Sequence, residues 1–110
     1  MLGTKLRLRT KADFNKCYSR GRSARGRYIT ARFLTNNKPH IRIGVVVSKK
    51  ISKHAVIRNK IRRRIFSIVR TELDNKKSLD IVIIAGRHSQ EVSYDMLASD
   101  IKKTLGFVSK

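Results

Sequence analysis

Residues 48–70 impose the strongest constraint on how this chain can fold. The segment SKKISKHAVIRNKIRRR (48–64) carries eight basic residues and no acid. Within and just beyond it, Ile57, Ile61, Ile65 and Ile68 recur at three- and four-residue spacing, within about 80° of one another on a helical wheel, with Val69 beside them. Such a period predicts a helix with Ser52 as its N-cap and one stripe that must be buried against another layer. Arg58, Arg62, Arg70, Arg63, Lys60 and Arg64 occupy most of the remaining circumference, with Phe66 among them and expected to be partly exposed. Helices supported by surface ion pairs interleave acids four residues away, and none stands between residues 49 and 70. Repulsion of this density calls for an external counter-charge.

The charge is unevenly spread. Of 27 Lys and Arg against seven Asp and Glu, residues 1–70 hold 21 against Asp13 alone, and residues 71–110 hold six against six, so the whole net +20 lies in the first segment. This asymmetry points to a polyanion gripped by one part of the surface, with nucleic acid the leading partner and an anionic membrane the competing one. A chain of 110 residues, 40% hydrophobic and without a Pro/Gly/Ser-rich linker, reads as one domain over residues 1–110. Its single cysteine, Cys17, cannot form an internal disulfide. No apolar run is long enough to span a bilayer, and MLGTKLRLRT is too polar for a signal peptide, so a cytoplasmic location is expected.

Residues 1–9 alternate basic and apolar side chains and could add a strand edge or lie extended on a partner. Thr10 has the character of an N-cap with Asp13 in the capping-box position. Gly21 suits the C′ position of the short helix that follows, on which Phe14, Cys17 and Tyr18 share a face. Residues 21–27, GRSARGR, read as a flexible basic loop. Residues 28–34 alternate as a half-buried strand with Ile29, Ala31 and Phe33 on one side and Tyr28, Thr30 and Arg32 on the other. Asn36, Asn37 and Pro39 supply turn chemistry before residues 41–47, which predicts an antiparallel hairpin. Residues 80–85 form a β-branched run suited to a strand buried on both faces. A last helix is expected from Ser93, with Tyr94, Leu97, Ala98, Ile101 and Leu105 in register and Gly106 at its end. The resulting order is helix, strand, strand, helix, strand, helix, with a possible extra N-terminal strand.

No arrangement of residues suggests catalysis by this chain. His40, His54 and His88 are scattered, no Cys/His spacing suits a metal, and no Gly-rich loop matches a phosphate-binding fingerprint. Glu91 and Asp95 lie where acids complement a helix dipole. The basic helix is different. Its arginines can hold phosphate in a forked, bidentate manner, and Asn59 adds a neutral donor and acceptor beside Arg58. Such a helix fits a DNA major groove, whereas on RNA it would meet irregular or packed backbone, and composition leaves both open. Phe14 and Tyr18, with Tyr28 and Arg32 on the strand face, either fill a helix–sheet seam or form a shallow groove that stacks unpaired bases. In the second case Arg32 and the arginines of residues 20–27 would hold the backbone.

These residues also match a known pattern. VVVSKKISKHAVIRNKIRRRI (45–65), LRTKADFNKCYSRGRS (8–23) and DIVIIAGRHS (80–89) occur in the order and spacing of the protein subunit of bacterial ribonuclease P, which the chain resembles over nearly its whole length. The family pattern Arg-Asn-Arg-x-Lys-Arg has lysine and arginine exchanged at Lys60 and Arg62, which keeps charge but moves the forked geometry. Arg32 stands where relatives carry an aromatic, which reduces the stacking expected from the strand face. The resemblance implies an α+β sandwich with a central, mostly antiparallel sheet and a left-handed β-α-β crossover, against the usual right-handed rule. It implies an accessory subunit of an endoribonuclease that removes the 5′ leader of precursor tRNA. Catalysis would lie on the RNA subunit, which requires Mg²⁺, and this chain alone would bind no cofactor. Lys49, Lys50, Lys53, Arg58, Asn59, Lys60, Arg62 and Arg63 would bind the RNA subunit. Phe14, Tyr18, Tyr28 and Arg32 would hold the leader. No DNA or membrane partner is expected. A general or ribosomal RNA-binding protein, or a DNA-binding regulator using residues 58–64, is the alternative; a regulator would need a dimer with two half-sites.

Overall fold

A computed structural model describes residue 8, residues 10–72 and residues 78–108. Its elements are α1 (Lys11–Arg20), β1 (Arg22–Arg25), β2 (Ile29–Thr35), β3 (Arg42–Val46), α2 (Ala55–Glu72), β4 (Leu79–Ala85) and α3 (Tyr94–Val108). The strands form one sheet in the order β1-β2-β4-β3, antiparallel except for the β3–β4 pair. The α+β class and the mostly antiparallel sheet are those expected. The predicted hairpin of β2 with β3 is not formed, because β4 lies between them. β4 is nearly all apolar and loses water over most of both faces, which fits a central position. Asn36 does not reverse the chain onto β3; its backbone N–H donates to the Ser78 carbonyl (3.0 Å) and its side chain to Asp80 Oδ1 (2.7 Å), steering the β2–β3 connection past β4.

The fourth strand is β1, inside the segment read as a loop. Ala24 is buried opposite Ala31 while Arg22, Ser23 and Arg25 are exposed, so a single inward residue carries the strand and charge hides the alternation. Gly26 closes the turn to β2, its N–H donating to the Ile29 carbonyl (2.8 Å), and a Cβ there would lie 2.4 Å from Thr104 Oγ1. Of the expected N-terminal strand only Leu8 is described. It is buried and its N–H donates to the Ile43 carbonyl (2.9 Å) on the outer edge of β3; the rest of that expectation lies outside the described residues.

The sheet separates two apolar clusters. On one face, Ile29, Ala31, Ile43, Ile81 and Ile83 meet Ile61, Ile65, Ile68 and Val69 of α2 and Leu97, Ile101 and Leu105 of α3. On the other face, Val82, Leu8 and Cys17 are packed with Phe14, Leu34, Val46 and Ile84. Ile57, expected in the buried stripe, is 37% exposed. The first turn of α2 projects past the core, to which the preceding loop contributes Val47 and Ile51 instead. Ser52 also stands two residues too early to be the N-cap: its Oγ accepts from the His54 N–H, and the His54 carbonyl accepts the first helical bond, from Arg58. Thr10 and Ser93 do cap α1 and α3, accepting from the N–H groups of Asp13 and Met96. Gly21 ends α1 in extended rather than left-handed backbone, since the chain runs directly into β1. A Cβ there would lie 2.3 Å from the Cys17 carbonyl oxygen, so glycine is needed for close approach. Gly106 lies within α3 and does not end it.

α1 is fixed by charge as well as packing. Arg42 donates through Nε (2.8 Å) and Nη2 (2.6 Å) to the buried carboxylate of Asp80, and through Nη1 (3.1 Å) to Asp13. Hydrogen bonding with Thr10, ahead of Arg42, holds the Asp13 carboxyl below its ordinary value. Its stabilising contribution is therefore present at neutral pH and fades only as acid protonates it below the usual carboxylate range. Cys17 beneath α1 is fully buried, and burial pushes its thiol up to about 11. The native protein at pH 8 should therefore resist alkylation by iodoacetamide, with rapid modification only after denaturant is added. Fast labelling of the native state would contradict this packing.

Candidate nucleic-acid interface

The register orders the side chains on the α1 face into rows that cross the strands. One row comprises Gly44, Val82, Arg32 and Ser23; the next comprises Val46, Ile84, Thr30 and Arg25. α1 lies along the first of these. A Cβ at Gly44 would come 2.7 Å from the Phe14 ring, so glycine leaves the space in which that ring sits over β3. At the other end, Arg32 donates through Nε to the Cys17 carbonyl (3.2 Å) and through Nη2 to those of Tyr18 (2.6 Å) and Gly21 (3.1 Å). Arg32 thus satisfies carbonyls left open where α1 ends. It supports the groove wall, with two of its three nitrogens already engaged, in place of the open phosphate contact expected of it.

The second row is left half-open. Val46, Ile84 and Thr30 are partly exposed beside α1, forming the floor of a groove about 10 Å across at the ordinary strand spacing. Phe14 and Tyr18 stand along its α1 wall. Tyr18 is 39% exposed, with burial of the remainder holding its phenol above the ordinary value. The opposite rim is cationic. Lys49 and Lys50 follow β3 and Arg87 follows β4, all exposed. Gln90 Nε2 donates to the Ile51 carbonyl (2.6 Å) and ties the loop after β4 to the loop before α2. The partial exposure of Ile84 modifies the expectation that its strand is buried on both faces. Alternation put Thr30 on the strand face of Arg32, but Val46, Ile84 and Arg87 did not stand out in the sequence, because pairing register alone aligns them.

Tyr28 is not in this groove. β2 begins only at Ile29, and the bend before it turns Tyr28 to the other face. There it packs with the α2–α3 core and lines a cleft with Met96, Ser99 and Lys103. The Arg27 guanidinium lies 5.8 Å from its ring centre. Asp100 on α3 fixes this turn, Oδ1 and Oδ2 accepting the backbone N–H groups of Arg27 (2.7 Å) and Tyr28 (2.8 Å).

Beyond the β3 end of the groove, α2 presents its charge in two sets. Lys60 and Arg63 are exposed on the side opposite the buried stripe, with Arg70 further along, and Lys49, Lys50 and Lys53 are exposed in the loop before it. Arg58 and Arg62 are half-buried at the flank. Arg58 Nη1 donates to the Ser52 carbonyl (2.9 Å), and Arg62 Nη1 donates to Asn59 Oδ1. Asn59 is therefore held by Arg62 through its side-chain oxygen. Among the described residues no group of three or more His, Cys, Asp or Glu side chains is placed to hold a metal ion, and no helix is long and apolar enough to cross a membrane.

The chain matches a family model described as Ribonuclease P over residues 2–108. The ribonuclease P protein component of Pseudanabaena sp. (strain PCC 6903) is 39% identical to it over 107 residues, covering 96% of this chain and 92% of that protein. That of Clostridioides difficile (strain 630) is 35% identical over 97 residues, covering 86% and 84%. Among solved structures, the RNase P protein of Staphylococcus aureus superposes with a TM-score of 0.85 at 28% identity, over 94% of each chain. The RNase P protein of Thermotoga maritima gives 0.76 at 28% identity, over 88% of this chain and 96% of that one.

Proposed function

Because the chain belongs to the ribonuclease P protein family, we propose that it positions precursor tRNA on a catalytic RNA subunit and does not itself carry out the hydrolysis. α2 and the loop before it, through Lys49, Lys50, Lys53, Arg58, Asn59, Lys60, Arg62 and Arg63, bind the RNA subunit. The groove beside α1 holds the single-stranded 5′ leader. The observation that carries this reading is the groove itself: an apolar floor, an aromatic wall and a cationic rim, joined at the β3 end to a helix without an acid up to Arg70. Flat rings and apolar side chains accept unpaired bases by stacking irrespective of sequence, while the rim neutralises backbone phosphate. Cations placed between two polyanions reduce their mutual repulsion, and so reduce the Mg²⁺ that the RNA needs to hold substrate.

Adding the protein to ribonuclease P RNA and precursor tRNA at low Mg²⁺ should restore 5′ cleavage, and an absence of stimulation would remove the proposal. Within the groove, Tyr18→Ala should weaken binding of leader-bearing tRNA by about 1–3 kcal/mol, or roughly 5–150-fold, with little change for mature tRNA. Phe14→Ala should have the same selectivity and should also lower stability, because its ring packs over Gly44. Equal losses for both RNAs would assign the two rings to packing alone.

A further inference from the structure

Arg20, Arg22, Arg25 and Arg27 fall within eight residues around β1, and all are exposed. Among the described residues, Arg20, Arg22 and Arg25 have no ion-pair partner. Asp100, the carboxylate that reaches this turn, accepts backbone N–H groups there. β1 is the terminal strand of the sheet on the side opposite β3, whereas α2 packs beside β3. This cationic edge is therefore separate from the α2 surface. One charge is enough to discourage an edge strand from pairing with another sheet, and three arginines without an ion-pair partner among the described residues exceed that need.

The register shows where this edge leads. Arg25 is paired with Thr30, at the end of the row formed by Val46, Ile84 and Thr30, and so extends the groove floor to the sheet edge. Arg22 has the parity of buried Ala24 and projects to the α3 side, so the two side chains straddle the edge. Arg20 lies in the last turn of α1, just beyond Tyr18.

We infer that the β1 edge is a second phosphate-binding surface, over which the leader nucleotides farthest from the cleavage site leave the groove, with Arg25 and Arg22 holding backbone on its two sides. The inference rests on the leader reading of the groove. A strand stacked at ~3.4 Å per nucleotide places about three nucleotides on a floor about 10 Å wide, so a longer leader must cross β1. The partner is single-stranded because the path is an edge with alternating charges, continuous with a groove of stacking surfaces.

The test compares holoenzyme containing wild-type protein, Arg22→Gln/Arg25→Gln protein or Arg22→Lys/Arg25→Lys protein. Precursor tRNAs with leaders of about three and about ten nucleotides and mature tRNA are titrated across a salt series. Wild-type protein should bind the ten-nucleotide leader more tightly, and the glutamine variant should lose that increment. Its salt slope for the longer leader should fall by about 1.4, at ~0.7 per single-strand phosphate, with no matching change for the leader of about three nucleotides. The lysine variant, which keeps the charge, should retain the slope. The inference is overturned if the glutamine variant binds the ten-nucleotide leader as wild type does, or if it loses equally on mature tRNA. Weakened assembly with the RNA subunit would also overturn it, by assigning the edge to that subunit. Wild-type holoenzyme that does not distinguish leader-bearing from mature tRNA would instead remove the groove reading on which this one stands.

Discussion

Between about 50 and 200 mM monovalent salt, the affinity of the protein for ribonuclease P RNA should fall by about 10³–10⁵-fold, as expected if six to ten phosphates are neutralised. The structure supplies that number of contacts without recruiting groups already paired inside the fold. Lys49, Lys50, Lys53, Lys60, Arg63 and Arg70 are exposed on α2 and the loop before it, and no acid stands between residues 49 and 70. Neutralising one of the outer cations, as in Lys60→Ala or Arg63→Ala, should lower the salt slope by about 1. Arg58→Ala should show a mixed effect, because its guanidinium also donates to the Ser52 carbonyl at the start of the helix. Filter binding across a salt series measures all of these. A complex indifferent to salt would contradict the assignment of α2 to phosphate.

The second large effect lies away from any RNA. Asp80→Ala should destabilise the fold by about 2–3 kcal/mol, since it strips the half-buried Arg42 guanidinium of its bidentate, charge-assisted partner, and lower Tm by about 4 °C per kcal/mol in a chain of this size. Four elements meet at this carboxylate. Arg42 of β3 donates to both of its oxygens and reaches Asp13 of α1, and Asn36 at the end of β2 donates to Oδ1. Asp13→Ala should have a smaller effect, because its carboxylate is more exposed than that of Asp80 and its pairing weaker accordingly. Thermal unfolding followed by circular dichroism separates the two variants. A loss at Asp80 of under about 1 kcal/mol would mean that the pair contributes little more than a surface ion pair.

The sequence made local structure legible where a period and a cap agreed. The Ile61, Ile65, Ile68 and Val69 stripe, the apolar run of β4 and the caps at Thr10 and Ser93 are present as expected. Strand order was not legible, because the β2–β4 pairing joins residues far apart in the chain and the turn residues after Thr35 suit a hairpin equally well. β1 was hidden by its arginines. For the site, alternation put Arg32 on the correct face, but its engagement with the end of α1 depends on where that helix stops. Tyr28 failed the same alternation because it precedes the strand by one residue. The half-open row beside α1 is a property of register, which exists only once four strands are paired.

The central place of β4 also governs when the protein can fold during its own synthesis. β2 and β3 have no ladder with each other, and both pair with a strand that follows α2 in the chain. Chains emerge N-terminus first, so nearly all of the excess positive charge leaves the ribosome before the strand that organises it. Until residues 79–85 arrive, that cationic stretch has helices and one short hairpin but no closed sheet, and no groove. The groove therefore forms late and all at once, and a chain truncated before β4 should retain charge for RNA without any means of choosing which RNA to hold.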